Sequence, residues 1–203
     1  MGIGTVEGPP AGVQRRAVFL DRDGVLNRVT IRDGMPLPPR TLAELEILPG
    51  VKEGLRRLRK AGFLLIGATN QPDVVRGVQR RDIIEAMNAR LLAELDLDEI
   101  RTCWHDDKDG CACRKPKPGL LLDAAREHQI ALPLSYMLGD RWRDIEAGQA
   151  AGCRNVWLRA PYAEREPHPP ADFVTDRFEP AVEWILNRGL MNNGTPHDAA
   201  SRK

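Results

Sequence analysis

No stretch of the chain approaches the roughly 18 apolar residues of a membrane-spanning helix, so no membrane span is expected. An excess of charge of one sign is missing too. Thirty Lys and Arg stand against 29 Asp and Glu, for a formal net charge of +1. So weak a field does not hold nucleic acid by its phosphates, and a non-specific DNA or RNA binder is not expected, although a small basic pocket stays compatible. The opening segment MGIGTVEGPPAGVQRR has no apolar core behind a basic start, so no secretory leader is expected. Val6 breaks the N-myristoylation pattern. The expectation is a cytoplasmic protein that acts as a monomer. No internal repeat is visible. Cysteine is limited to four residues, but Cys103, Cys111 and Cys113 fall within eleven positions. In a reducing compartment such a cluster points to a metal site rather than to a disulfide set.

The chain's 203 residues, 42 % hydrophobic and 29 % charged, suit one globular domain with its own core. Residues 1–14, rich in Gly and Pro, read as a tail, as does the polar end from Gly189; the domain is expected over 15–188. Residues 17–20 (AVFL) form a short apolar run that suits a buried parallel strand. Further strands are expected at 63–68, 98–103, 135–139, 155–159 and 172–175. Helices are expected at 51–61, 78–95, 120–128, 143–151 and 178–188, from apolar residues at helical spacing such as Val51, Leu55 and Leu58. Alternating strands and helices imply an α/β fold, a doubly wound parallel sheet covered on both faces. Ligands of such sheets bind beyond the carboxyl ends of the strands. Asp21, Thr69 and Asp140 each follow an expected strand and so can meet there.

Asp21 and Asp23 sit in DRDGVLN. Two carboxylates this close repel unless a cation shares them, and a hard, oxygen-seeking ion such as Mg²⁺ meets that demand. Gly24 permits a sharp backbone turn behind them. Taken alone, such a pair is more often a solvated acidic turn. The longer string resembles the first motif of the haloacid dehalogenase superfamily. ATNQ, ending at Gln71, resembles the second, RKPKPG at 114–119 the third, and GDRWRDIEAG at 139–148 the fourth, in the family's order.

The resemblance implies a Rossmann-like haloacid dehalogenase fold and a role for each residue. Asp21 would attack phosphorus and carry an aspartyl phosphate. Asp23 would protonate the leaving oxygen and then take a proton from water. Asp21, Asp140 and Asp23 (through its carbonyl) would ligate Mg²⁺, with Asp144 close by. Thr69, Asn70, Gln71, Arg114 and Lys115 would contact the substrate phosphate. Such charge neutralisation carries most of phosphoryl-transfer catalysis.

Residues 103–113 read CWHDDKDGCAC. Cys103, His105, Cys111 and Cys113 form a donor set of the structural Zn²⁺ kind; free thiols in a loop, with a surface histidine, are the other reading. CxH…CxCRKPKPG resembles the branch of the superfamily that holds the heptose 1,7-bisphosphate and histidinol-phosphate phosphatases, in which these four positions bind a structural zinc. That branch implies no large cap domain and a zinc-stapled loop steadying Arg114 and Lys115. Cys153 reads as a buried apolar residue.

The branch also implies that the segment 28–48 overhangs the pocket. Arg32 there reads as an exposed arginine. After TNQ the chain departs from the branch: Pro72 and Asp73 are unusual, while Arg76 is kept as a candidate contact to a distal phosphate. Arg141 stands where the branch often has lysine. The function implied is hydrolysis of a small sugar phosphate, foremost heptose 1,7-bisphosphate to heptose 1-phosphate. Histidinol phosphate and a polynucleotide 3′-phosphate are alternative substrates, the latter disfavoured by the charge balance. A non-enzymatic zinc-stapled module fits poorly, because every catalytic position is intact.

Overall fold

The computed structural model describes residues 14–191. The expected tail over 1–13, and all of the expected tail beyond Met191, lie outside the described residues. Five-, eight- and four-residue strands dominate the centre: β1 (Arg16–Leu20), β4 (Phe63–Asn70), β5 (Glu99–Cys103), β6 (Tyr136–Gly139) and β7 (Arg154–Leu158), with a shorter β8 (Phe173–Thr175). The strands between, β2 (Thr30–Arg32) and β3 (Met35–Leu37), form a separate antiparallel ribbon. Among the described residues five α-helices complete the fold: α1 (Val51–Lys60), α2 (Arg81–Leu95), α3 (Gly119–His128), α4 (Trp142–Ala151) and α5 (Phe178–Met191).

The main sheet runs β5-β4-β1-β6-β7-β8, and every pairing in it is parallel. Side chains alternate across a strand, so each buried strand feeds two cores. In β1, Val18 and Leu20 pack on one face with Leu55 and Leu58 of α1, Met87 of α2 and Ile185 of α5. Ala17 and Phe19 pack on the other with Leu120, Leu121 and Ala124 of α3 and Ala151 at the end of α4. Cys153 joins that second core, as expected. The doubly wound reading is therefore borne out. Among the described residues no helix is long and apolar enough to cross a membrane.

The chain turns back at the centre of the sheet. Going outward from β1, the chain builds β4 and β5 on one side, then returns to add β6, β7 and β8 on the other. The crevice at such a switch point, outside the carboxyl ends of the strands, is where ligands of this architecture bind. Leu20 pairs with Leu138, so Asp21 and Asp140 leave neighbouring strands side by side.

Some boundaries differ from the expectation. β4 runs through Thr69 and Asn70 instead of ending at Ala68, because Thr69 pairs with Thr102 and Asn70 with Cys103. α2 begins at Arg81, since the backbone N–H groups of Val78 and Gln79 bond back to Asp73 O and close a turn first. α5 continues past 188. Gly189 does not stop it; Arg16 Nη1 donates to the Gly189 carbonyl (3.2 Å), and the glycine lies against Phe63. The β2–β3 hairpin was not foreseen. Its two-residue loop is Asp33-Gly34, both at positive φ (51° and 72°), the conformation an Asp-Gly turn supplies. This ribbon and a short 3-10 turn (Leu42–Glu44) occupy the stretch between β1 and α1, and no large cap is present among the described residues.

Candidate active site

At the carboxyl ends of the central strands lies a cleft of about 350 Å³. Asp21, Asp23, Thr69, Gln71, Lys115 and Asp144 reach its wall; Met35 to Pro38 of the hairpin form another side of it. Arg32 is exposed, as expected, and is not among the residues lining this cleft.

Lys115 is the electrostatic centre. Its side chain is 2 % exposed, and its Nζ lies 2.9 Å from Asp21 Oδ1, 2.5 Å from Asp144 Oδ1 and 2.6 Å from the Ala68 carbonyl. Burial opposes its charge, but Asp144 and Asp21 outweigh that and hold its pKa above the usual lysine range. Asp21 Oδ1 also accepts from the Arg22 backbone N–H (2.8 Å). Burial first, then repulsion from Asp144, push the Asp21 carboxyl up to about 6, against the pull of Lys115. Asp140 is raised well above the ordinary value, by burial and then by Asp21 and Asp144.

The carboxylates of Asp21, Asp140 and Asp144 have oxygens within 4.8 Å of one another. One ammonium cannot balance three carboxylates. The deficit is local to Asp140: Tyr162 Oη donates to its Oδ2 (2.6 Å), while its Oδ1 is buried with no hydrogen-bond partner among the described residues. An all-oxygen, electron-rich pocket with an unpartnered acceptor fits a small hard cation such as Mg²⁺.

Asp23 faces elsewhere. Its Oδ2 accepts from Arg22 Nη2 (2.8 Å) and Gln71 Nε2 (2.7 Å), and its Oδ1 from Asn27 Nδ2 (3.0 Å). The Asp23 carboxylate is thus not part of the cluster of Asp21, Asp140 and Asp144. Gln71 Nε2 also donates to Thr69 Oγ1 (3.0 Å). Asn70 spends both ends of its amide on the Lys115 backbone, donating to its carbonyl (3.0 Å) and accepting from its N–H (3.1 Å). The three side chains of TNQ thus brace the machinery from one strand end.

The cysteine cluster begins beside that strand end, since Cys103 pairs with Asn70. Cys103 Sγ lies 3.2 Å from Cys113 Sγ and 3.7 Å from Cys111 Sγ, and the latter two are 3.4 Å apart. His105 Nδ1 is 3.7 Å from Cys103 Sγ and 3.4 Å from Cys113 Sγ. Zinc–sulfur bonds of about 2.3 Å imply tetrahedron edges of roughly 3.7 Å, close to these separations. The same loop supplies acids to the basic rim. Asp107 accepts from Arg114 Nε (2.9 Å) and Arg143 Nη1 (3.1 Å), and Asp106 accepts from Arg76 Nε (2.9 Å). Arg141 is paired with Glu164.

Sequence reasoning missed Arg22, Asn27, Asn88 and Tyr162. Arg22 and Asn27 stood inside the first motif, where their burial was the missing signal; nothing in the sequence tied Asn88 or Tyr162 to this site.

The HAD-hyrolase-like family model matches residues 112–181. The D-glycero-beta-D-manno-heptose-1,7-bisphosphate 7-phosphatase of Helicobacter pylori (strain J99) is 38 % identical over 176 residues, covering 84 % of this chain and 97 % of the relative. The protein of that name from Escherichia coli K12 is 34 % identical over 183 residues, 84 % of this chain and 88 % of the relative. Among solved structures, D,D-heptose 1.7-bisphosphate phosphatase from B. bronchiseptica, complexed with magnesium and phosphate, aligns with a TM-score of 0.69 at 28 % identity, over 85 % of this chain and 99 % of that one. The sheet order, the four motifs in their places and relatives matched along nearly their whole length agree: the chain belongs to the haloacid dehalogenase-like phosphatases, in the family of the heptose-1,7-bisphosphate 7-phosphatases.

Proposed function

We propose that the protein removes the 7-phosphate of a D-glycero-D-manno-heptose 1,7-bisphosphate, leaving heptose 1-phosphate. The observation that carries this reading is the convergence of the Asp21, Asp140 and Asp144 carboxylates at the switch point, with Lys115 bridging Asp21 and Asp144. The names of the relatives supply the substrate.

In this reading Asp21 is the nucleophile. Lys115 and the Arg22 N–H hold its Oδ1, leaving Oδ2 free of protein donors among the described residues. An Asp21 oxygen attacks phosphorus in line, and its new bond forms as the bond to the sugar oxygen breaks. Asp23 gives a proton to that departing oxygen, then takes one from the water that attacks the same phosphorus. Asp21 is released and inorganic phosphate leaves. Thr69 Oγ1 already accepts from Gln71, so its own hydrogen is free for a phosphate oxygen. Asn70 keeps Lys115 in place through its backbone. Asp21, Asp140 and the Asp23 carbonyl, with Asp144 alongside, would hold Mg²⁺, which would supply positive charge for the transferring phosphoryl group. Arg114 joins Lys115 in meeting the substrate. Cys103, His105, Cys111 and Cys113 would hold a structural Zn²⁺, which would steady the loop that presents both.

Phosphate release with Mg²⁺ from both anomers of heptose 1,7-bisphosphate, histidinol phosphate and a 3′-phosphorylated oligonucleotide tests the proposal. A preference for one heptose bisphosphate, abolished in a folded Asp21→Asn variant, is expected. Preference for histidinol phosphate would replace the substrate, and substantial turnover by pure Asp21→Asn would overturn the nucleophile.

A further inference from the structure

Arg22 is fully buried, an expensive place for a cation unless it is paired and hydrogen-bonded. All three of its guanidinium nitrogens are engaged. Nε and Nη2 grip Asp23, at 3.3 Å and 3.1 Å to Oδ1 and 2.8 Å from Nη2 to Oδ2. Nη1 donates to Asn88 Oδ1 on α2 (3.1 Å), and Asn88 Nδ2 in turn donates to Thr102 Oγ1 on β5 (3.1 Å). The guanidinium is therefore tied to a helix and an adjacent strand at one end and to Asp23 at the other.

A planar fork against a carboxylate fixes its plane as well as its position, which an ammonium cannot do. Asn27 and Gln71 bond the same carboxylate but only at one oxygen each. We infer that Arg22, anchored by Asn88, is the positioning residue that sets where the Asp23 carboxyl sits for proton transfer. The inference rests on Asp23 being the acid and base of the proposed reaction. Arg22 itself touches neither substrate nor phosphorus in this scheme. It acts through Asp23.

A purely structural ion pair and a positioning device differ in one readout. Proton donation to the leaving oxygen matters for an alkyl ester, whose alkoxide is a poor leaving group, and little for an aryl ester that leaves unaided. The quantity to follow is kcat/KM, which covers the steps up to departure of that group. Glycerol phosphate and 4-nitrophenyl phosphate serve as the two esters, with Mg²⁺ present. For Arg22→Lys, kcat/KM on glycerol phosphate is expected to fall about 10²-fold and on 4-nitrophenyl phosphate about threefold. Asn88→Ala touches neither Asp23 nor the cleft wall that holds the phosphate. It is expected to show the same selective pattern at smaller size, and it carries the test if Arg22→Lys does not fold. Equal losses on both esters in the folded variants would overturn the inference. Asp23→Asn, run in parallel, separates the two levels. Selective loss there with uniform loss in the others overturns the role of Arg22 alone, whereas uniform loss in Asp23→Asn overturns the acid assignment and this inference with it.

Discussion

Gly24 lies so near Asp140 that a Cβ built on it would stand 1.9 Å from Asp140 Oδ2 and 2.9 Å from Tyr162 Oη. The glycine also has φ of +88°, a conformation that L side chains rarely adopt. The first motif and the fourth motif therefore touch with no room between them. Gly24→Ala must displace the Asp140 carboxylate. It is expected to cost about 1–3 kcal/mol of stability and, by misplacing Asp140, about 10²-fold in kcat/KM. Chemical denaturation and steady-state kinetics check the two parts, and weaker Mg²⁺ dependence should accompany the second.

The acid cluster gives a pH dependence with a definite sign. Asp21 ionises at about 6 in the folded chain against 3.8 for the free group. The folded state thus holds this proton more tightly than the unfolded one. Its contribution to stability is complete below 3.8 and is lost as pH rises through about 6. Asp140, also raised above its ordinary value, adds a loss of the same sign. A divalent ion offsets the repulsion only once the carboxylates are ionised. Mg²⁺ should therefore raise the melting temperature of EDTA-treated protein more above pH 6 than below it. Equal shifts on both sides would contradict this electrostatic account.

Removal of the structural zinc proposed above should be felt through the arginines. Asp106 and Asp107 leave the same loop as the four ligands and hold Arg76, Arg114 and Arg143. Chelation is expected to speed amide exchange across residues 103–114 while β1 and β4 stay protected. Activity should fall as well, and return with Zn²⁺ but not with Mg²⁺ alone. Unchanged turnover in zinc-free protein would separate the loop from the site.

Asn70 offers a cleaner case of indirect support. Its amide makes two bonds to the Lys115 backbone. Asn70→Ala removes both and should lower kcat about tenfold while costing about 1–2 kcal/mol. Asn70→Asp can still accept from the Lys115 N–H and should recover part of the stability, which thermal melts of the two variants would reveal.

Much of this site was legible because its chemistry sits at strand ends. Apolar runs ending in Asp21 and Asp140 needed only the rule for parallel sheets to be brought together. Arg22 was hidden by its neighbours. An arginine between two aspartates reads as ordinary surface charge, and only packing under α2 reveals its burial. Tyr162 reaches Asp140 from an irregular segment without periodicity, so its role exists only in three dimensions. The hairpin is a different kind of omission. Asp33-Gly34 was a readable turn signal, but Pro36 and the shortness of both strands concealed the pairing.

The sheet order also bears on how the protein is made. β1 is bracketed by β4 and β6, with Leu20 paired to Gly67 on one side and Leu138 on the other. A chain emerging from the ribosome exposes this apolar strand early and can sandwich it only after β6 has been synthesised. Until then Asp21 has no Asp140 beside it, so partly made chains hold Asp21 without the site. Recovery of phosphatase activity during refolding would accordingly report closure of the whole sheet rather than folding of its first half.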